Sequence, residues 1–195
     1  MRRKSGFTLI ELLLAMGVLT LILSISAGVL LSVIRTAERR SALSQVERAG
    51  DFLMRVIEED LRVAYSVDCV NSSGSTGSCG STYNILRIND GETYQYIGRK
   101  IKNDVTCEDG STVSNGYIYK TSNVSHLASG HSVDVSEKLT DDTQSGTNIQ
   151  ILSLSIVGGR PSGVTVGTTI VPSSCQSWNI QRSYSTFVTL RGTYQ

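Results

Sequence analysis

Hydrophobic and polar positions divide the chain into three regimes. From Leu12 to Ile34, LLLAMGVLTLILSISAGVLLSVI, 23 consecutive residues carry no charge. As a helix such a run is roughly 34 Å long, enough for a hydrocarbon core of about 30 Å. Helix is also the form in which lipid-facing N–H and C=O groups satisfy one another. Beyond Ile34, apolar residues recur in three- and four-residue steps at Leu43, Val46, Ala49, Leu53, Val56, Ile57, Leu61 and Ala64. That is amphipathic-helix periodicity. Arg48, Asp51, Arg55, Glu58, Glu59 and Arg62 fall mostly on the other faces, with Asp51–Arg55 and Glu58–Arg62 at favourable i,i+4 spacing. They read as a solvated face opposite a packing stripe. Together the two segments predict one helix from about Phe7 to Ala64, roughly 87 Å long.

After Tyr65 the pattern changes. Asn71–Ser78 is a loop by composition. Strands are expected at Tyr83–Ile88, Thr93–Ile97, Tyr117–Lys120, Ile149–Val157, Val164–Val171 and Tyr184–Leu190, with a hairpin turn at Asn89-Asp90-Gly91-Glu92. The alternation through Ile149, Ile151, Leu154 and Ile156 is imperfect, which predicts a bulge or a short strand pair. The expected class is α+β, with an antiparallel sheet over the outer part of the long helix. No internal repeat is present.

The chain has 195 residues and a net charge of +1, which argues against a general nucleic-acid binder. Met1-Arg2-Arg3-Lys4 precede the apolar run, so the positive-inside rule places the N-terminus in the cytoplasm and everything after Ile34 across the membrane. A secretory signal peptide has a shorter apolar stretch and an A-x-A-like end; neither feature occurs before Arg35. A plain membrane anchor fits the length but leaves Glu11 unexplained, an acid within Phe7-Thr8-Leu9-Ile10-Glu11-Leu12-Leu13-Leu14. At membrane depth a carboxylate is costly and marks a functional candidate; at the headgroup boundary it is merely hydrated.

The motif Lys4-Ser5-Gly6-Phe7-Thr8-Leu9-Ile10-Glu11 resembles the class III signal of type IV prepilins and pseudopilins. The resemblance implies a pilin fold. It also implies cleavage by a membrane prepilin peptidase after Gly6, N-methylation of the new N-terminus Phe7, and an assembly role for Glu11, the fifth residue after the cut. A glycine before the cut offers no side chain to obstruct a protease and leaves helical geometry readily. Loss of Met1–Gly6 removes three positive charges and creates one ammonium at Phe7. In a filament the Glu11 carboxylate can meet the Phe7 ammonium of a neighbouring subunit. Desolvation offsets much of that attraction, so the pair chiefly sets axial register. Many pilins carry a helix-bending proline where this chain has Gly28.

The organisation expected is a leader at 1–6, a hydrophobic transmembrane and assembly helix at 7–34, an amphipathic helix at 35–65 and a β-rich head at 66–195. Cys69, Cys79, Cys107 and Cys175 all lie in the head, and an even count in an exported part favours two disulfides. Three connectivities are possible. Cys69–Cys79 with Cys107–Cys175 is preferred, the first stapling the loop to the helix end and the second tying distant segments. Zinc ligation is disfavoured for want of C-x-x-C or paired-histidine spacing.

No catalytic motif is evident, and neither enzyme activity nor a cofactor nor a resident metal is expected. His126 and His131 read as exposed loop residues. Asp141-Asp142-Thr143-Gln144-Ser145-Gly146-Thr147-Asn148 reads as a polar turn without EF-hand spacing. Arg99, Lys100 and Lys102 are the compact basic cluster of the head, which carries nine Lys or Arg against ten Asp or Glu. A solvated, aggregation-resistant strand edge explains that cluster better than DNA contact does.

The size of the head, with Asp60-Leu61-Arg62-Val63-Ala64-Tyr65 and Tyr184-Ser185-Thr186-Phe187-Val188-Thr189-Leu190-Arg191, is similar to PilW-like minor pilins. That likeness implies a low-abundance subunit that starts or caps a pilus. Its implied partners are major and minor pilins, the prepilin peptidase, an inner-membrane assembly platform and, before assembly, membrane lipid. A J-type minor pseudopilin of type II secretion is the alternative, followed by an adhesin or a DNA-uptake subunit.

Overall fold

The computed structural model describes residues 8–128, 134, 137–140, 143, 146–157, 163–176 and 180–190. It divides into two compact units, Met1–Ser41 and Ala42–Gln195. A single helix, α1 (Leu9–Val63), contributes to both. Within the first unit the described part is helix alone from Leu9 to Ser41, and every side chain on it is exposed.

In the second unit α1 is one-sided. Ala42, Val46, Gly50, Leu53, Met54, Ile57 and Leu61 are buried. The expected stripe is therefore slightly rotated: Leu43, Ala49 and Val56 lie half-buried at its margins, while Ala42, Gly50 and Met54 enter the core. The physical reason lies at Gly50. The ring of Tyr184 occupies the space where a Cβ on Gly50 would sit, 2.2 Å from the ring carbon Cζ. The absent side chain lets an aromatic ring close directly on the helix backbone, and the Tyr184 hydroxyl reaches the Val46 carbonyl at 3.4 Å.

Among the described residues eight strands follow the helix: β1 (Ser66–Val70), β2 (Thr76–Gly77), β3 (Ile85–Asn89), β4 (Tyr94–Thr106), β5 (Thr112–Thr121), β6 (Thr147–Val157), β7 (Gly163–Pro172) and β8 (Arg182–Thr189). They form two antiparallel sheets, ordered β2-β1-β3-β4-β5 and β6-β7-β8, where the sequence predicted one. The β3–β4 hairpin turns at Asp90, whose Oδ1 accepts the Glu92 and Thr93 amides at 2.9 and 2.7 Å. A register shift between Ile149 and Ile151 accounts for the broken alternation of β6.

One core joins α1 to both sheets: Val46, Leu53, Ile57 and Leu61 pack with Leu86, Ile97 and Ile118 of the first sheet and Val164, Ile170 and Val188 of the second. Each such side chain contributes about 1.5–3 kcal/mol on burial. A second cluster gathers Val70, Ile85, Tyr96, Tyr117, Tyr119 and Leu127 on the five-stranded sheet. Polar ties add direction: Lys120 Nζ meets Asp60 Oδ1 at 2.8 Å, fixing β5 against the helix. Disulfides join Cys69 to Cys79 and Cys107 to Cys175. Beside the latter, buried Asn115 donates to Ser173 Oγ at 2.7 Å and accepts the Ser174 amide at 2.9 Å.

Candidate assembly site

The first turn of α1 is built by Thr8 and Glu11. The Thr8 carbonyl accepts the Glu11 and Leu12 amides at 3.1 and 3.2 Å, and Thr8 Oγ1 lies 3.4 Å from the Glu11 nitrogen. Thr8-Leu9-Ile10-Glu11 thus has the T-x-x-E spacing of a capping box. Glu11 is solvent-exposed in the isolated chain, at the end of the helix where the dipole favours an anion. In the sequence Glu11 stands out by its offset from Gly6, and the same residues also spell the cap. Gly6 and Phe7 lie outside the described residues.

Past Glu11 the helix presents apolar side chains on all sides. Leu14, Leu21, Ile25 and Leu30 are each more than 60% exposed. An 18-residue window of it has a mean hydropathy of 2.4, and by length and composition the helix can cross a membrane. Three hydroxyls bond back onto the helix: Thr20 donates to the Gly17 carbonyl at 2.9 Å, Ser24 to the Leu21 carbonyl at 3.0 Å and Thr36 to the Ser32 carbonyl at 2.8 Å. Each satisfies its own hydrogen on the helix, which suits an apolar environment. Among the described residues, nothing beyond the adjoining helix backbone would lie within 4 Å of a side chain begun at Gly17 or Gly28, leaving two flat spots at which another helix can approach closely.

The head candidates separate differently from expectation. The basic cluster is more than a solvated edge: past Ile97 β4 pairs only with β5, yet Arg99 and Lys100 are half-buried and engaged. Arg99 Nε donates to the Ile149 carbonyl at 2.6 Å, and Lys100 donates to the His126 carbonyl while lying over the Tyr119 ring. Burial pushes both cations below their ordinary pKa values.

His126 is likewise not a free loop residue. It is half-buried on a 3-10 turn at Val124–Leu127, with Nδ1 2.9 Å from Glu137 Oε2. Burial pushes Glu137 up, but hydrogen bonds from Thr121, His126 and the Asp134 amide position, with the charge of His126, hold its carboxyl below the usual range. These groups close the turn on β5. His131, Asp141, Asp142, Gln144 and Ser145 lie outside the described residues. Among the described residues, no group of three or more His, Cys, Asp or Glu side chains gathers within reach of one metal ion.

The long exposed apolar helix, headed by a capped acid, is thus the feature that demands an external partner. Comparison with curated proteins and with solved structures finds no match. Residues 1–27, which hold the basic leader, Gly6, Phe7, Glu11 and the start of the apolar run, match the family model of the prokaryotic N-terminal methylation motif.

Proposed function

We propose that this chain is a minor pilin: a subunit inserted in the inner membrane as a precursor, cleaved between Gly6 and Phe7, and assembled through α1 into a type IV pilus. Its place is an initiating or tip complex with other minor pilins, and its role is structural rather than enzymatic. One observation carries the reading: the methylation motif over residues 1–27 runs straight into a helix whose large apolar residues from Leu9 to Ile34 are all exposed. Two environments cover such a helix in turn, lipid before assembly and neighbouring helices after it. The two tolerate Glu11 differently. In lipid the acid sits near the membrane end and can be hydrated; in a filament it requires the Phe7 ammonium of another subunit.

Replacing Glu11 by alanine leaves cleavage and the head fold intact and weakens entry into the complex. Breaking one half of a buried pair costs about 3–5 kcal/mol, less where water reaches it. Glu11→Asp is intermediate, the charge surviving on a shorter arm. The test is co-purification of other pilins from membranes, with surface pili counted in the mutant. Wild-type assembly by Glu11→Ala removes the proposed contact. Recovery of secretion-system pseudopilins in place of pilus subunits selects the J-type pseudopilin reading instead.

A further inference from the structure

The three-stranded sheet has two unlike faces. One presents Val164, Val166, Ile170 and Val188 to the core. The other follows the intervening residues, whose cross-strand rows are set by register: Ile151–Thr169–Ser183, then Ser153–Gly167–Ser185, then Ser155–Thr165–Phe187, then Val157–Gly163–Thr189. Hydroxyls dominate these rows, and no position in them carries a charge.

Within this polar field Phe187 stands out, 56% exposed. Its ring lies across Gly163: a Cβ there would stand 2.2 Å from Cζ and 2.4 Å from Cε2. The missing side chain beds the ring down on the sheet instead of letting it project, so one aromatic face rests on backbone and the other is open. At the Ile151 end the face runs into a groove shared by Asn84, Arg99, Gln150 and Leu152. Two primary amides there can donate and accept, while Arg99 Nε is already committed to the Ile149 carbonyl.

We propose that this outer face binds a neutral polysaccharide, with Phe187 as the platform on which one sugar ring stacks. The C–H face of a pyranose is apolar and weakly positive, and it complements the negative face of an aromatic ring. Its hydroxyls both donate and accept, as do the Ser and Thr hydroxyls and the Asn84 and Gln150 amides. Other occupants fit less well. A polyanion such as nucleic acid needs several cations, whereas the four rows carry none and Arg99, in the adjoining groove, donates to the Ile149 carbonyl. A second protein needs area: four rows of three residues cover only about 400 Å² at ordinary sheet spacings, against about 800 Å² per partner in a stable complex. A lipid surface needs a continuous apolar patch, and here hydroxyls separate Ile151 from Phe187 and Val157. This inference concerns the head alone and goes beyond the assembly reading.

The test uses the full chain in micelles of a detergent without a sugar headgroup. Retention is measured on microcrystalline cellulose and on chitin, with dextran sulfate resin as the charged comparison. The wild type is retained on at least one neutral polysaccharide. Phe187→Ala lowers that retention at least tenfold, Phe187→Trp restores it, and Ser185→Glu weakens it. All variants keep a cooperative thermal transition, because Phe187 and Ser185 lie outside the core, and Phe187→Ala gives up only the contact with Gly163. Absence of retention on both neutral polysaccharides, equal retention by Phe187→Ala, or tighter binding to dextran sulfate each overturns the proposal. So does a concentration-dependent dimer lost in Phe187→Ala, which makes the face a contact between copies. Since retention is read on purified chain, failure of pilus assembly leaves this result unaffected.

Discussion

Gly50→Ala is the substitution whose sign best tests the packing of the helix on the head. On an exposed helix face this change stabilises by up to about 1 kcal/mol, because alanine loses less backbone entropy. Here the new methyl meets three Tyr184 ring atoms at 2.2, 2.3 and 2.7 Å. Ordinary contact begins near 3.4 Å, so the ring must retreat by more than an ångström. Its hydroxyl would then lose the Val46 carbonyl. Overpacking of this kind costs about 1–3 kcal/mol, which outweighs the propensity gain and leaves a net loss of up to about 2 kcal/mol. For a unit of this size that is a fall of about 2–8 °C in thermal midpoint. In a Tyr184→Ala background the obstruction is gone, and Gly50→Ala should become neutral or stabilising. Near-UV circular dichroism melts of the full chain in micelles, disulfides intact, would give all four corners of the cycle. A Gly50→Ala effect of the same sign in both backgrounds refutes the reasoning.

Two further predictions follow from the head. Replacing Cys107 and Cys175 by alanine should cost more stability than replacing Cys69 and Cys79, since the pairs are separated by 68 and 10 residues; loop entropy gives about 4 against about 3 kcal/mol, and denaturant melts that reverse this order contradict it. The Glu137 carboxyl is held below its ordinary range in the folded chain, so it stabilises the fold fully above about pH 4.5, and that contribution disappears as pH falls through the folded value. Thermal midpoints of Glu137→Gln and wild type should therefore differ at pH 6 and draw together as pH falls below about 4.5; a difference independent of pH counts against a stabilising role for this carboxylate.

Much of the helix was legible because its signals are long. An uncharged run of 23 residues and a stripe of apolar steps outlast any local irregularity, and α1 ends at Val63, one residue short of expectation. The strands were legible only where apolar residues dominate. β1, Ser-Val-Asp-Cys-Val, follows so closely on the helix that its few alternating residues carry little weight; its Asp68 is explained by Arg87, 2.7 Å away on the neighbouring strand. β4 runs to Thr106, well past the expected Ile97, because Lys100, Lys102, Asn103 and Asp104 look like loop residues in one dimension. A strand paired along its length tolerates polar side chains on an open face, and that pairing is not local information. The same holds for the site residues. Glu11 stands out from its neighbours as an acid among apolar residues, whereas His126 acquires its partner from Glu137, eleven residues onward, across a turn that composition does not define.

The central claim is that the chain is a processed, assembling subunit rather than a protein anchored by an intact N-terminal helix. Intact-mass and N-terminal peptide measurement of protein extracted from membranes with an active prepilin peptidase tests it most directly. The account predicts loss of Met1–Gly6 and a mature chain beginning at methylated Phe7, with processing blocked when Gly6 is replaced by a bulky residue. Retention of the six-residue leader under those conditions would contradict it.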